Sequence, residues 1–270
     1  MAWSDFKAVI VTRHSIAELY EKNVNAFLAG IPYPKMLFQN PPAGDYVWHM
    51  LTKFRDEYDW VINIDDDAFL ADPAALYDLL VYMRDNQYAY CGMPDGMTYT
   101  PRDIFNPASM NPFFNIFNLA LIDPDAIAKN AWYSADLLRM MDLSEYHPEI
   151  FQKTHETIYN YHFADNYEPF YRIFFGLLRS GAKALQLYGR SFYYDGPDCA
   201  TRRVGIVFPD DPYTTVLYLP KALGARPFMY HTWYARDYYA ANNPTTPPNN
   251  RARIDRMFDF ALARKREIQN

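Results

Sequence analysis

The chain has 270 residues, of which 50% are hydrophobic and 21% are charged, so it can form one α/β domain with a buried core. Its net charge of −6, from 26 Lys and Arg against 32 Asp and Glu, excludes the broad positive surface of a nucleic-acid-binding protein. Cys91 and Cys199 are too few for a disulfide scaffold, and no apolar run approaches the ~20 residues that span a bilayer.

The N-terminal half alternates predicted strands and helices. Its opening, MAWSDFKAVIVTR, has no signal-peptide hydrophobic region, so we expect a soluble, cytoplasmic protein. Short β-branched and apolar runs predict strands at 6–12, 35–39, 60–64, 88–92 and 114–122. Apolar spacing and capping residues predict helices at 15–29, 44–58 and 73–83. This alternation predicts a mostly parallel sheet flanked by helices, with ligands at the carboxyl ends of the strands.

The C-terminal half is less regular. A helix is predicted from Asp165 to Arg179, closed by Gly181, and a strand from 182 to 187. The stretch 191–230 is rich in Gly, Pro and Asp, so we expect it to be mostly loop. The Pro/Asn-rich stretch 242–250 reads as a linker or strap. A last helix is predicted from apolar residues at helical spacing: Ile254, Met257, Phe258, Ala261 and Leu262.

An acidic cluster, Asp65-Asp66-Asp67, follows the third predicted strand in the segment WVINIDDDAFL. Three adjacent carboxylates repel one another, and a divalent cation relieves that repulsion. Because side chains alternate along an extended segment, we expect Asp65 and Asp67 to project one way and Asp66 the other. A hard ion held by one or two carboxylates and by substrate phosphates fits this layout. The alternative is an acidic surface turn with an Asp capping the next helix.

Two other protein families also place acid after a hydrophobic strand. Phosphate-loop ATPases carry a GxxxxGK[ST] sequence, which occurs nowhere in this chain. Haloacid dehalogenase phosphatases carry their Asp pair on the first strand, with Thr or Val two residues beyond the second Asp. Here the cluster follows a later strand, and Phe69 stands two residues beyond Asp67. Neither family therefore accounts for the cluster.

The stretch from Trp60 to Leu70, a hydrophobic strand followed by DDD and an aromatic residue, resembles the Asp-X-Asp motif of GT-A-fold glycosyltransferases. The resemblance implies a single GT-A (Rossmann-like) domain that transfers a sugar from a nucleotide diphosphate sugar, most often a UDP-sugar, to an acceptor hydroxyl. It implies that Asp67 is a direct ligand of Mn²⁺ or Mg²⁺, with Asp65 beside it at the metal. Asp65 and Asp66 would contact the ribose and the donor sugar.

A second acidic element, FADNYE, precedes the sequence PFYRIFFGLLRSG. In inverting GT-A enzymes an acidic residue at the start of a late helix is the general base, so the resemblance implies this role for Asp165 first and Glu168 second. The two acids also have the D-x-x-E spacing of a capping box, which by itself explains both. The Gly-Glu-Asp form of the base motif is absent. Other acidic and basic candidates lie in the 195–211 loop: Asp195, Asp198, Arg202, Arg203, Asp210 and Asp211.

A late aromatic segment, MYHTWYAR, contains His231 and Arg236. In the family that it resembles, a histidine late in the domain is the third protein ligand of the metal. Imidazole suits Mn²⁺ better than Mg²⁺. A lone histidine is more often structural, but its combination with the acidic cluster favours a ligand. The Arg236 guanidinium matches diphosphate oxygens, and the alternative is a surface ion pair with Asp237.

Two further segments carry weaker signals. Thr12 and Arg13 follow the first strand, where GT-A enzymes hold the base and ribose; the alternative is a polar strand-to-helix turn. The last helix carries six Arg and Lys residues between 251 and 266, a pattern that suits contact with anionic lipid. The charged side chains of such a helix more often lie in water than against a membrane.

These features divide the chain into a nucleotide-sugar half at 1–111, an acceptor half at 112–240, and a strap with a C-terminal helix at 241–270. The expected partners are a nucleotide diphosphate sugar and a carbohydrate acceptor, without nucleic acid. One alternative is a nucleotidyl- or phosphotransferase that uses the same metal cluster. The other is a non-catalytic carbohydrate-binding protein whose DDD cluster holds structural Ca²⁺.

Overall fold

The computed structural model describes residues 1–14, 16–39, 43–95, 106–130, 168, 170–191, 211, 213–239, 247 and 249–270. Within them the chain is an α/β fold. The strands are β1 (Ala8–His14), β2 (Lys35–Gln39), β3 (Trp60–Ile64), β4 (Ala68–Leu70), β5 (Tyr90–Asp95), β6 (Asn106–Asn118), β7 (Ala184–Gln186), β8 (Tyr188–Ser191), β9 (Thr214–Tyr218) and β10 (Pro227–Thr232). The α-helices are α1 (Ala17–Asn23), α2 (Ala43–Thr52), α3 (Pro73–Asp85), α4 (Pro124–Asn130), α5 (Tyr171–Arg179) and α6 (Asn250–Gln269).

The central sheet has the strand order β2-β1-β3-β6-β5-β7 among the described residues. β1 lies parallel to β2 and to β3, and β5 lies parallel to β7. β6 runs antiparallel to both of its neighbours, β3 and β5. The predicted α/β class and the mostly parallel central sheet flanked by helices are therefore confirmed.

Side chains of the central strands alternate between two apolar cores. Ile10 and Ile62 belong to the core that α3 and α6 cover, whereas Val9 and Val61 belong to the core that α2 and α5 cover. Strands buried on both faces read as nearly continuous apolar runs, which is why VIV and WVINI predicted them correctly. Fully burying one such side chain contributes about 1.5–3 kcal/mol, so the two cores fix the sheet in place.

A second, smaller sheet is antiparallel and has the order β4-β10-β9-β8. β4 starts directly after the acidic cluster and pairs with β10, so that Ala68 lies opposite His231. The sequence did not predict this sheet, because the stretch 191–230 was expected to be mostly loop. β9 and β10 are short strands joined by a turn that contains Pro220 and Gly224, and β10 pairs with β4 from a remote part of the chain.

The starts of two helices differ in how well the sequence predicted them. α3 starts as expected, with the Asp72 carboxylate accepting a hydrogen bond from Ala75 N at 3.1 Å. α5 starts later than expected, at Tyr171, with Phe170 at the N-cap and no side-chain cap. Glu168 therefore precedes this helix and is not the N3 residue of a capping box at its start. Asp165, like Ser15 before α1, lies outside the described residues.

None of the helices in the described part of the chain combines the length and the apolar character that crossing a membrane requires.

Candidate active site

A cleft of about 280 Å³ lies at the carboxyl ends of β1 and β3, beside the second sheet. Many of the residues selected from the sequence line it: Arg13, Asp65, Asp66, Asp67, Glu168, His231 and Arg236. Thr12 is buried within β1 and is not among the described lining residues. Consecutive strand side chains alternate in direction, so Arg13 faces the cleft and Thr12 does not.

The acidic cluster forms a tight turn between β3 and β4. The Asp65 N–H donates to the Phe113 carbonyl at 2.9 Å, and the Ala68 N–H donates back to the Asp65 carbonyl at 3.1 Å. From α1, the buried Asn23 side-chain amide donates to the carbonyls of Asp65, Asp66 and Ala68 at 3.2, 3.1 and 2.9 Å. One buried amide thus holds the backbone that carries all three carboxylates.

Each carboxylate of the cluster has its own neighbour. Asp65 forms an ion pair with Arg13, with Oδ2 3.0 Å from Nη2. Asp66 accepts a hydrogen bond from the Ile16 N–H at 3.1 Å, at the entry to α1. Asp67 Oδ1 lies 3.5 Å from His231 Nε2. The three carboxylates therefore have three different neighbours and all line the cleft, and the backbone here is a turn rather than the extended segment on which the expected alternation of side chains depended.

Asp65 is the carboxyl whose ionisation the cleft disturbs most clearly. Its pKa is raised to about 6, chiefly by burial; the Arg13 guanidinium lowers the pKa and the nearby Asp67 carboxylate raises it, and the value of about 6 is the net effect. Its Oδ1 atom is buried and has no hydrogen-bond partner among the described residues. A buried acceptor in this state is costly, and a positive charge at that point would stabilise the ionised carboxylate.

His231 is held in the wall of the cleft by aromatic rings. It stacks on Phe113 with the ring centroids 4.0 Å apart and the planes at 3°, and it meets Trp233 edge-on at 4.9 Å. Its Nδ1 atom is buried without a hydrogen-bond partner among the described residues. Pairing of β4 with β10 brings this ring to Asp67, although the two residues lie in different halves of the sequence.

The cleft offers carboxylate and imidazole ligands that fit a hard divalent cation whose remaining ligands are substrate phosphates. In the described part of the chain, no group of three or more His, Cys, Asp or Glu side chains is arranged to hold an ion. Asp67 and His231 nevertheless face each other, and the orphaned Asp65 Oδ1 belongs to the same turn. Mg²⁺ and Mn²⁺ are commonly held by one or two carboxylates plus substrate phosphates, so an incomplete protein ligand set suits these ions.

Asp95, which the sequence did not single out, and Asn111 connect the far wall of the cleft to α5. Asp95, buried at the end of β5, accepts hydrogen bonds from Asn111 Nδ2 and from the Tyr171 hydroxyl, both at 2.6 Å. Asn111 lines the cleft and accepts the Phe113 N–H at 3.2 Å. Through Asn111 and Tyr171, Asp95 thereby connects β6, the strand that carries Phe113, to the first residue of α5. The only feature of the sequence that could have identified Asp95 was an Asp near the end of a strand.

No protein-family model matches the chain, and no curated protein matches it. Among solved structures, A197 from STIV matches with a TM-score of 0.33 and 11% identity, over 44% of this chain and 70% of that one. A glycosyltransferase involved in the glycosylation of the major capsid of PBCV-1 matches with a TM-score of 0.30 and 12% identity, over 58% of this chain and 75% of that one. Likeness at this level assigns neither a family nor a function to the chain.

Proposed function

We propose that this chain is a metal-dependent glycosyltransferase that moves a sugar from a nucleotide diphosphate sugar, preferably a UDP-sugar, to a carbohydrate acceptor hydroxyl. The observation that carries the proposal is that Asp65, Asp67 and His231 share one cleft with Arg13 and Arg236. Carboxylate and imidazole groups suit a divalent cation, and guanidinium groups suit phosphate oxygens. This pairing of charges is what a metal-bound diphosphate requires.

Asp67 and His231 are the proposed ligands of Mn²⁺ or Mg²⁺, with Asp65 beside them, and the imidazole favours Mn²⁺. The bound ion would supply Lewis-acid neutralisation of the departing diphosphate. The Arg236 side chain, which is exposed on the cleft lining, would contact the diphosphate oxygens. Asp66 and Arg13 would contact the ribose and the donor sugar. The Arg13 side chain is held in position by its ion pair with Asp65.

Glu168 is the described candidate for the general base, and Asp165 remains a candidate outside the described residues. The bond between the acceptor oxygen and the sugar C1 would form as the bond from C1 to the phosphate oxygen breaks. The acceptor proton would pass to the carboxylate, and the nucleoside diphosphate would leave. Glu168 is supported by its place on the cleft and by the start of α5 at Tyr171, because capping of that helix no longer accounts for it. The proposal includes an inverting outcome and a cytoplasmic location.

The proposal is tested by removing the metal and one of its ligands. We expect protein dialysed against EDTA to bind UDP weakly in calorimetry, and added Mn²⁺ to restore both UDP binding and UDP-sugar hydrolysis. Asp67→Asn keeps the size of the side chain but weakens its hold on the metal, so we expect it to lower Mn²⁺-dependent UDP affinity at least about tenfold. Asp259→Asn, an exposed acid on α6, is the matched control and should bind like the wild type.

Three outcomes would count against this function. UDP binding that is equally tight in EDTA would contradict the metal role, and unaltered affinity in Asp67→Asn would contradict the ligand assignment. Release of a nucleoside monophosphate instead of a diphosphate from the sugar nucleotide would indicate a nucleotidyl- or phosphotransferase.

A further inference from the structure

The turn that follows β10 supplies one wall of the cleft with consecutive residues, from Trp233 through Arg236. The Trp233 ring is half-buried, so part of it is accessible from the cleft. Charged groups, chiefly Arg13 and the acidic cluster, line another part of the same cleft. The cleft therefore has an aromatic region and an ionic region, and the proposed function so far uses only the ionic one.

The Trp233 ring is fixed before any ligand arrives. Its indole Nε1–H donates to the Thr215 hydroxyl at 2.9 Å, and its ring meets His231 at 64°. Since the indole donor is already used inside the protein, the ring offers a ligand chiefly its flat apolar surface. A surface of this kind suits the C–H face of a pyranose ring.

The position of Trp233 indicates which end of a sugar nucleotide it would meet. Its ring neighbours His231, whose Nε2 lies 3.5 Å from the Asp67 carboxylate, the centre proposed to hold the metal and diphosphate. In a nucleotide diphosphate sugar, the sugar is bonded directly to the diphosphate, whereas the base is separated from it by the ribose. An aromatic surface beside the diphosphate centre is therefore within reach of the transferred sugar or the ribose rather than of the base.

The backbone of this turn is in a high-energy conformation. Tyr234 has φ 72° and ψ 28°, the left-handed region that non-glycine residues rarely occupy. Such a conformation persists where the surrounding structure holds it, and it is found preferentially at functional sites.

Helix α6 supplies the groups that hold the turn. The Asn250 side-chain amide donates to the Tyr234 carbonyl at 2.9 Å, and the Arg253 guanidinium donates to the Trp233 carbonyl. Arg253 is itself oriented by a buried ion pair with Asp211 at 3.3 Å and by the Asn250 side-chain oxygen at 2.8 Å. Two buried side chains from the C-terminal helix thus fix two successive carbonyls of the cleft wall.

We infer that Trp233 is the stacking surface for a pyranose ring in this cleft, and that Asn250 and Arg253 are positioning residues that hold it there. The inference rests on the proposed function and adds to it the class of sugar ring and the part of the chain that orients it. The ring belongs either to the donor or to the acceptor, and the experiment below separates these two sources.

The stacking role is tested with Trp233→Leu, which keeps apolar volume but removes the flat ring, and with Trp233→Phe, which keeps a ring. The probes are UDP and three UDP-hexoses (UDP-glucose, UDP-galactose and UDP-N-acetylglucosamine), each titrated by calorimetry with Mn²⁺. If the ring holds the donor sugar, we expect Trp233→Leu to weaken binding of the best UDP-hexose about tenfold, UDP affinity to stay within about twofold, and Trp233→Phe to recover much of the loss. If it holds the acceptor, UDP-hexose affinity stays unchanged, but methyl hexosides no longer stimulate turnover.

Two results would overturn the stacking role. One is an equal loss of UDP and UDP-hexose affinity, which would show that the ring supports His231 or contacts the nucleotide and does not stack on a hexose. The other is no change in UDP-hexose affinity together with normal stimulation by methyl hexosides. Either result leaves Mn²⁺-dependent UDP binding by the wild-type protein intact, so it is distinguishable from failure of the proposed function, in which the wild type does not bind UDP with Mn²⁺.

The positioning role is tested with Asn250→Ala, which removes both the donor to the Tyr234 carbonyl and the side-chain oxygen that accepts from Arg253, while Asp211 stays as the ion-pair partner of Arg253. We expect it to weaken UDP-hexose or methyl hexoside binding at least threefold relative to UDP. The Tyr234→Gly background should reduce that effect, because glycine adopts the left-handed region without support. Asn86→Ala removes a comparable amide-to-carbonyl hydrogen bond of 2.9 Å at the exposed end of α3 and is the control. A lower melting temperature with unchanged relative affinity for both sugar probes would show a merely structural role.

Discussion

At the scale of single residues, the three adjacent aspartates of the acidic cluster have identical side chains but three different environments. Asp65 is paired with Arg13, whose guanidinium lies 5.7 Å from the centre of the Tyr46 ring. Asp66 accepts the Ile16 N–H and so orders the entry to α1. Asp67 alone faces the imidazole of His231. A single substitution at each position should therefore disturb a different part of the cleft, and Asp67 is the position nearest to the proposed ion.

The sequence predicted the chemistry-bearing residues better than the residues that support them. Asp65 and His231 were found because acids after a hydrophobic strand and a late histidine form a pattern that can be read along the chain. Asn23 and Asp95 were not found, because a lone buried amide or carboxylate has no sequence pattern. Their partners, which are backbone carbonyls and side chains of other elements, exist only in the folded chain.

The residue-scale prediction concerns Glu168, the described candidate for the general base. Glu168→Gln keeps the shape of the side chain but cannot accept the acceptor proton, so we expect kcat to fall on the order of 100-fold or more. Mn²⁺-dependent UDP affinity should stay near the wild-type value, because Glu168 is not one of the proposed ligands of the metal or the diphosphate. Glu57→Gln, at an exposed position, is the control. Full activity in Glu168→Gln together with loss of activity in Asp165→Asn would assign the general-base role to Asp165 instead.

At the scale of elements, the cleft is built where the two sheets meet. β1 and β3 were predictable, because strands buried on both faces have continuous apolar sequences. β9 and β10 were not, because short strands depend on hydrogen bonds to remote partners rather than on a long local pattern. The turn between β3 and β4 is one covalent link between the sheets, as is the step from β7 to β8, and it is the segment that carries the acidic cluster. The position of the carboxylates therefore depends on how this turn is held.

The element-scale prediction concerns Asn23, whose amide from α1 reaches three carbonyls of that turn. Asn23→Ala leaves buried acceptors without this donor, so we expect the free energy of unfolding to fall by about 1–3 kcal/mol. Mn²⁺-dependent UDP affinity should fall as well, because the carboxylates are no longer held in one geometry. Urea unfolding and calorimetry measure the two effects. Asn86→Ala should change stability by no more than about 0.5 kcal/mol. Wild-type UDP affinity in Asn23→Ala would contradict the proposed link between the turn and the site.

At the scale of the whole molecule, α6 is packed into the same core as one face of the central sheet. Ile254, Met257 and Ala261 are buried in the core that also contains residues of β1, β3 and α3. Ion pairs add to this contact on the surface, with Lys22 of α1 lying 3.3 Å from Asp255 of α6. The sequence predicts a Pro/Asn-rich strap and a C-terminal helix at 241–270. The buried side chains of α6 make this helix part of the body that forms the cleft.

Contact of α6 with anionic lipid remains a proposal, and the structure gives its basic side chains other partners. Arg251 lies 3.2 Å from Glu18 of α1, and the Lys265 ammonium donates to the Ala26 carbonyl at 2.6 Å. Arg264 forms an ion pair with Glu267 on the helix itself. Exposed ion pairs contribute little to stability, so lipid binding at Arg251 and Arg264 would compete with weak contacts.

The whole-molecule prediction is that α6 unfolds together with the sheets and not as a separate appendage. Ile254 is fully buried, so Ile254→Ala should lower the free energy of unfolding by about 2–5 kcal/mol through lost burial and the cavity that remains. Ile268→Ala makes the same chemical change at a side chain that is 44% exposed, and it should change stability by no more than about 0.5 kcal/mol. Urea unfolding followed by both tryptophan fluorescence and far-UV circular dichroism checks this. For Ile254→Ala, we expect the fluorescence and circular dichroism curves to coincide and to shift together to lower urea concentration, since one core is involved. A separate early transition, or an Ile254→Ala curve that overlays the wild type, would show that α6 is a detachable segment.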